Sequence, residues 1–115
     1  KLFGYLFLPI AYLFHIPTSE AFTFASLIGT KLSINEFVAY TQMTEVMNTL
    51  SPRTIAILSV LLCNFANFSS IGIQIGAFAS IAPTRKAEVA KLGIKALIAG
   101  TLSTLITGAL LGIFL

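Results

Sequence analysis

The chain has 115 residues, of which 57% are hydrophobic and only 10% are charged, and its net charge is +3. A soluble domain carries about 25% charged residues, so this composition predicts an integral membrane protein. Seven basic residues are too few and too scattered for a nucleic-acid surface, and one His far from one Cys excludes a paired metal-ligand motif.

Residues 1–18 are predicted to form an interfacial helix. The apolar part of this segment is short for a membrane span and has Pro9 at its middle. Its tyrosines favour the membrane interface. A short transmembrane helix is the alternative. Because the chain has too few spanning segments to enclose a site alone, we expect it to be part of a longer protein.

Residues 19–50 are predicted to form a re-entrant helical hairpin. Two apolar arms, at 21–28 and 37–50, flank a polar stretch at 29–36. Each arm has about half the length that a span requires. Such a hairpin is tolerated only where protein buries it or where it borders a cavity. The alternative is one helix from Glu20 to Leu50, which would place two charges in the bilayer at about 2.5–3.5 kcal/mol each.

Two helix starts carry capping signals. Thr18 or Ser19 is expected to cap the first helix of the hairpin, with Glu20 in its first turn. Ser51 is expected to cap the next helix, with Pro52 in its first turn.

Residues 51–82 are predicted to form a discontinuous transmembrane helix. Within this region, residues 54–84 are 31 in a row without Asp, Glu, Lys, Arg or His. Unbroken, they would measure about 46 Å against a hydrocarbon core of about 30 Å. The break is expected at 65–70, between half-helices at 54–64 and 71–81, because short polar side chains there can satisfy unpaired backbone groups. Secondary transporters build substrate sites at such breaks.

The remaining residues divide into a charged and an uncharged part. Four of the seven basic residues lie in residues 83–95, so the positive-inside rule predicts a cytoplasmic loop there. Residues 96–115 are uncharged and are predicted to form a continuous transmembrane helix that ends outside. Two Gly-x-x-x-Gly pairs predict close helix contacts. They are Gly72 with Gly76 and Gly108 with Gly112.

One carboxylate, that of Glu36, is predicted at membrane depth away from a chain end. Such a group is a functional candidate, with a salt bridge to Lys31 as the alternative. Asn67 and Ser70 are three residues apart and share a face of a helical turn. Together these side chains offer donors and acceptors but no cation, which suits a neutral, hydroxyl-rich ligand. Phe65 offers a flat apolar surface for a ring.

Four motifs cover nearly the whole chain. They are Gly29-Thr30-Lys31, Asn35-Glu36-Phe37-Val38-Ala39-Tyr40, Leu50-Ser51-Pro52-Arg53 and Phe65-Ala66-Asn67-Phe68-Ser69-Ser70. With these motifs in this order, the chain resembles the concentrative nucleoside transporter family. The resemblance implies an all-α integral membrane fold, and it makes the chain the C-terminal portion of such a protein. That portion is the second repeat of an inverted-repeat transport domain.

The resemblance also implies a function: the C-terminal part of a cation-coupled nucleoside importer that works by alternating access, and not an enzyme. It implies that Glu36, Asn67 and Ser70 bind the ribose hydroxyls, and that Phe65 and Asn35 belong to the same substrate site. No cofactor or metal site is expected in this chain, because the coupling ion, Na⁺ or H⁺, is bound mainly by residues outside it.

The expected partners are a nucleoside, the lipid bilayer and the remainder of the transporter, in a homotrimer without nucleic acid. The expected location is the bacterial inner membrane. From the residues alone, two alternatives stay open. One is a membrane packing subunit without transport, based on the glycine pairs. The other is an intramembrane enzyme with Glu36 as general base, for which no second catalytic group is present.

Overall fold

The computed structural model describes residues 2–64 and 66–115, with the exception of the Phe3 side chain. The regular elements of these residues are all helical, which confirms the all-α prediction. They are α1 (Leu2–Leu13), α2 (Thr18–Ser33), α3 (Glu36–Val46), α4 (Pro52–Leu61), α5 (Phe68–Ile81) and α6 (Lys86–Phe114), with single 3-10 turns at Met47–Thr49 and Pro83–Arg85.

Helix α1 ends in a left-handed turn that directs the chain into α2. His15 has a φ of 57°, and the N–H of Ile16 donates to the carbonyl of Ala11 at 3.1 Å. This pattern closes a helix in the way that a C-terminal glycine usually does. Arg53 donates from Nη1 to the carbonyl of Phe14 at 3.0 Å, so the end of α1 is tied to the start of α4.

The two predicted caps have different outcomes. Helix α2 begins directly after Pro17 without a side-chain cap, so the expected cap by Thr18 or Ser19 is wrong. The extended backbone of Pro17 already starts the helix, and its carbonyl accepts the first hydrogen bond, from Glu20 N–H at 2.9 Å. The cap of α4 is confirmed, because the Ser51 side chain accepts from the N–H of Thr54.

The chain reverses between α2 and α3, so residues 20–50 do not form one helix. The reversal is at Ile34 and Asn35, and most of the polar stretch lies inside α2 rather than in the turn. Hydroxyl groups of α2 bond to carbonyls of their own helix, from Thr30 to Ser26 and from Ser33 to Gly29. These bonds let the polar residues continue the helix.

The helix after the hairpin is interrupted, as α4 ends at Leu61 and α5 begins at Phe68. The interruption starts and ends earlier than the predicted 65–70, and Phe68 to Ser70 form the first turn of α5. The reason is Asn67, whose side chain caps α5 by accepting from the N–H of Ser70 at 2.8 Å. Asn64 holds the interrupted segment by accepting from the N–H of Ala66.

Helix α6 is longer than predicted. Residues 83–95 were expected to be a loop, but the helix starts at Lys86 and continues to Phe114. The charged residues of this helical start are Lys and Glu, which are good helix formers, as are the Ala and Leu residues between them, so the charge of the segment does not prevent the helix. Pro83–Phe114 is the one stretch among the described residues that is long and apolar enough to cross a membrane.

Glycines of α6 let both halves of the interrupted helix approach closely. A Cβ on Gly108 would lie 2.5 Å from Leu61 of α4, and one on Gly93 would lie 2.9 Å from Ile71 of α5. The predicted close contact at Gly108 is thus confirmed. The pair Gly72 and Gly76 differs, because no described atom lies within 4 Å of either Cβ position.

A buried carboxylate joins the base of the hairpin to the start of α4. Glu20 is only 7% exposed. It accepts hydrogen bonds from the N–H and the hydroxyl of Ser51 and from the hydroxyl of Thr54, the last at 2.6 Å. The carboxylate therefore lies at the N-terminus of α4, where the helix dipole favours negative charge. The sequence motif at Ser51 signals the cap but not this partner.

We expect Glu20→Ala to destabilise the full-length protein by about 3 kcal/mol, because it removes three hydrogen bonds to a charged group, including those from the N–H of Ser51 and the buried hydroxyl of Thr54. Thermal unfolding of the purified protein in detergent measures the change. Glu45→Ala is the control, since Glu45 is exposed on α3 and its loss should change stability by less than about 0.5 kcal/mol. Equal melting temperatures for the two variants would contradict the role of Glu20.

Candidate functional site

The tip of the hairpin meets the interruption between α4 and α5. Asn67 donates from Nδ2 to Oε2 of Glu36 at 3.0 Å. Glu36 is the first residue of α3, and Asn67 is the residue that caps α5. Two helix N-termini therefore lie beside one carboxylate, and helix N-termini are the ends at which acidic side chains are favoured.

Hydrogen bonds at both the oxygen and the nitrogen of its side-chain amide fix the orientation of Asn67. The side chain is only 1% exposed. Its Oδ1 accepts from the N–H of Ser70, so the amide nitrogen is left to face Glu36. An isolated asparagine in a mobile turn would be free to flip, whereas here the helix cap fixes the donor toward the carboxylate.

The two serines at the start of α5 have different surroundings. Ser69 donates from its hydroxyl to the carbonyl of Ile34 at 2.7 Å, which ties the hairpin tip to α5. Ser70 is half-buried and borders a groove together with Asn67. The sequence predicts Ser70 and not Ser69 as a site residue, because neighbouring serines can be told apart only once the direction of each side chain is known.

The other predicted site residues have distinct positions. Asn35 caps α3, as its Oδ1 accepts from the N–H of Val38 at 2.9 Å. It therefore shapes the tip directly beside Glu36. Phe65 lies outside the described residues. The structure thus brings Glu36, Asn67 and Ser70 into one neighbourhood, with Asn35 adjacent to them.

The alternative role of Glu36, a salt bridge to Lys31, is not found. Among the described residues, the one ion pair within 4.0 Å joins Arg85 to Glu88 at 2.9 Å. Lys31 is itself buried, at 3% exposure. The described residues also contain no group of three or more His, Cys, Asp or Glu side chains able to hold a metal ion.

Comparison with known proteins gives consistent matches. The family model described as "Na+ dependent nucleoside transporter C-terminus" matches residues 1–112. The chain is 46% identical to the transporter YutK of Bacillus subtilis, and this match covers 100% of the chain and 28% of YutK. It is 37% identical to the nucleoside permease NupC of Helicobacter pylori, and this match covers 97% of the chain and 28% of NupC. An inward-facing, substrate-bound structure of CNTnw matches 98% of the chain and 28% of its own length, with a TM-score of 0.89 and 44% identity.

The fold and these matches define a class of protein: the chain corresponds to the helical C-terminal region of membrane transporters, and the relatives named above are transporters and permeases rather than enzymes. The chain belongs to the Na⁺-dependent nucleoside transporter family, as its motifs predict. It spans 28% of the length of the curated relatives named above.

We expect Ser69→Ala to loosen the hairpin tip, because the hydroxyl bond to the carbonyl of Ile34 is lost. One neutral hydrogen bond is worth about 1 kcal/mol, so backbone amides of residues 33–38 should exchange about fivefold faster. Hydrogen exchange with mass spectrometry on the full-length protein measures this. Ser80→Ala is the control, since the Ser80 hydroxyl bonds only within its own helix. Similar exchange in both variants would show that Ser69 does not hold the tip.

Proposed function

We propose that this chain is the C-terminal part of a cation-coupled nucleoside importer that works by alternating access. Glu36, Asn67 and Ser70 bind the ribose hydroxyls, and Phe65 and Asn35 complete that side of the site. The observation that carries the proposal is the hydrogen bond between Asn67 and Glu36, 31 residues apart in the chain. Membership of a nucleoside transporter family supports the substrate class.

The chemistry of these side chains suits a sugar with free hydroxyls. A carboxylate accepts hydrogen bonds through two oxygens, each with two lone pairs, and one of these oxygens, Oε2, already accepts from Asn67. A ribose hydroxyl can donate to the other oxygen while it accepts from an amide or a serine hydroxyl. The vicinal hydroxyls of ribose present such groups side by side.

The placement in the membrane follows the same proposal. Helix α1 lies at the interface, the hairpin α2–α3 enters the bilayer from the outer side, and α4 and α5 together make one interrupted span. The basic start of α6 lies in the cytoplasm of a bacterial cell and its end lies outside, as the positive-inside rule requires. The remainder of the transporter supplies the binding of Na⁺ or H⁺ and completes a homotrimer.

We expect Glu36→Gln to weaken uridine binding by the full-length transporter by about 10- to 150-fold. The reason is the loss of a charge-assisted hydrogen bond of about 1.5–3 kcal/mol. Isothermal titration of the purified protein measures the dissociation constant. Glu45→Gln makes the same chemical change at an exposed position of the same helix and should bind like the wild type.

A second ligand makes this experiment specific for ribose. Deoxyuridines that lack the 2′- or 3′-hydroxyl should bind the wild type more weakly than uridine. In Glu36→Gln, at least one of the two deoxyuridines should bind less than about threefold more weakly than uridine, because the carboxylate that accepts from the missing hydroxyl is gone. An unchanged uridine affinity in Glu36→Gln, or an undiminished difference for both deoxyuridines, would show that Glu36 does not bind the ribose.

A further inference from the structure

A groove of about 680 Å³ lies between α5 and α6. Asn67 and Ser70 border one end of it, and the ion pair of Arg85 with Glu88 borders the other. The volume is in the range of small-molecule sites, about 300–1,000 Å³. The groove is therefore continuous with the proposed ribose site and leads from it to the basic start of α6.

Most of the groove wall is apolar, but one further polar side chain lies on it. Gln74 follows Asn67 and Ser70 at a spacing of seven and four residues, so the three share one face of α5. Gln74 is one helical turn beyond Ser70, about 6 Å along the helix axis. Phe78 continues the same face toward the basic end.

The amide of Gln74 is exposed and has no hydrogen-bond partner among the described residues. It belongs to a charge-free helix for which we propose a position at membrane depth. An amide without a partner is unfavourable in hydrocarbon by several kcal/mol. A polar occupant of the groove, a ligand or water, satisfies it. Its donor and acceptor also match the paired donor and acceptor edges of nucleobases.

We propose that Gln74 is a further nucleoside contact on a release route, which runs along the α5–α6 groove from the ribose site to the cytoplasmic end at Arg85 and Glu88. This inference rests on the proposed function, which supplies the occupant and the direction. It adds a residue and a route that the ribose site alone does not contain.

The test uses the full-length transporter without other cysteines, with Cys63→Ser, in inside-out membrane vesicles. Gln74→Cys is treated from the cytoplasmic side with a membrane-impermeant methanethiosulfonate reagent, with and without saturating uridine. Lys91→Cys is the control, because Lys91 is exposed in the basic start of α6, on the side from which the reagent is added, and does not line the groove. We expect Gln74→Cys to be labelled, and uridine to slow its labelling at least fivefold without slowing that of Lys91→Cys.

Three results would overturn the inference: no labelling of Gln74→Cys, labelling that uridine does not slow, or equal protection of Lys91→Cys by uridine. The first would mean that the remainder of the transporter fills the groove. A failure of the proposed function looks different. In that case uridine affinity is unchanged in Glu36→Gln, whatever the labelling at Gln74 shows.

Discussion

The structure depends on a constraint that applies to any helix interrupted away from water: each backbone group released at the interruption needs another hydrogen-bond partner. Asparagine meets this need at every interruption that bears on the site. Asn35 caps α3 after the hairpin turn, Asn64 bonds to the N–H of Ala66, and Asn67 caps α5. The same amide of Asn67 then donates to Glu36. The Asn67 side chain therefore caps the interrupted helix and at the same time forms part of the site.

The hairpin is fastened to the interrupted helix at both of its ends. At the base, Glu20 bonds to Ser51, next to the start of α4. At the tip, the carbonyl of Ile34 accepts from Ser69, at the start of α5. Because both anchors are on the same interrupted helix, the hairpin and that helix form one unit. The geometry between Glu36 and Asn67 is therefore held from both ends of the hairpin.

Much of this fold could be predicted from the sequence, and the exceptions have physical causes. A charge-free run too long for one span, with polar residues at its middle, predicts an interruption near Asn67, and the interruption is there. Its edges could not be predicted, because a capping asparagine and one inside a loop look alike in sequence. The bond of Glu20 to Ser51 joins residues 31 apart, and no local pattern reports such a contact. The helical start of α6 differs from the predicted loop because a cluster of basic residues indicates the side of the membrane, whereas helix formation depends on propensity, which is high for Lys, Glu and Ala.

The charges around the site have a consequence for what it can bind. The carboxylate of Glu36 has no cationic partner within 4.0 Å among the described residues. An amide donates to it and the N-termini of two helices lie beside it, while the buried Lys31 of the preceding helix acts on it only by charge, from beyond contact distance. An anionic group placed against Glu36 would meet a like charge. A neutral ligand with hydroxyl donors would instead give the carboxylate further hydrogen bonds. Under the proposed function, Glu36 therefore favours a hydroxyl group over an anionic group as its direct partner, before any contact to the base is made.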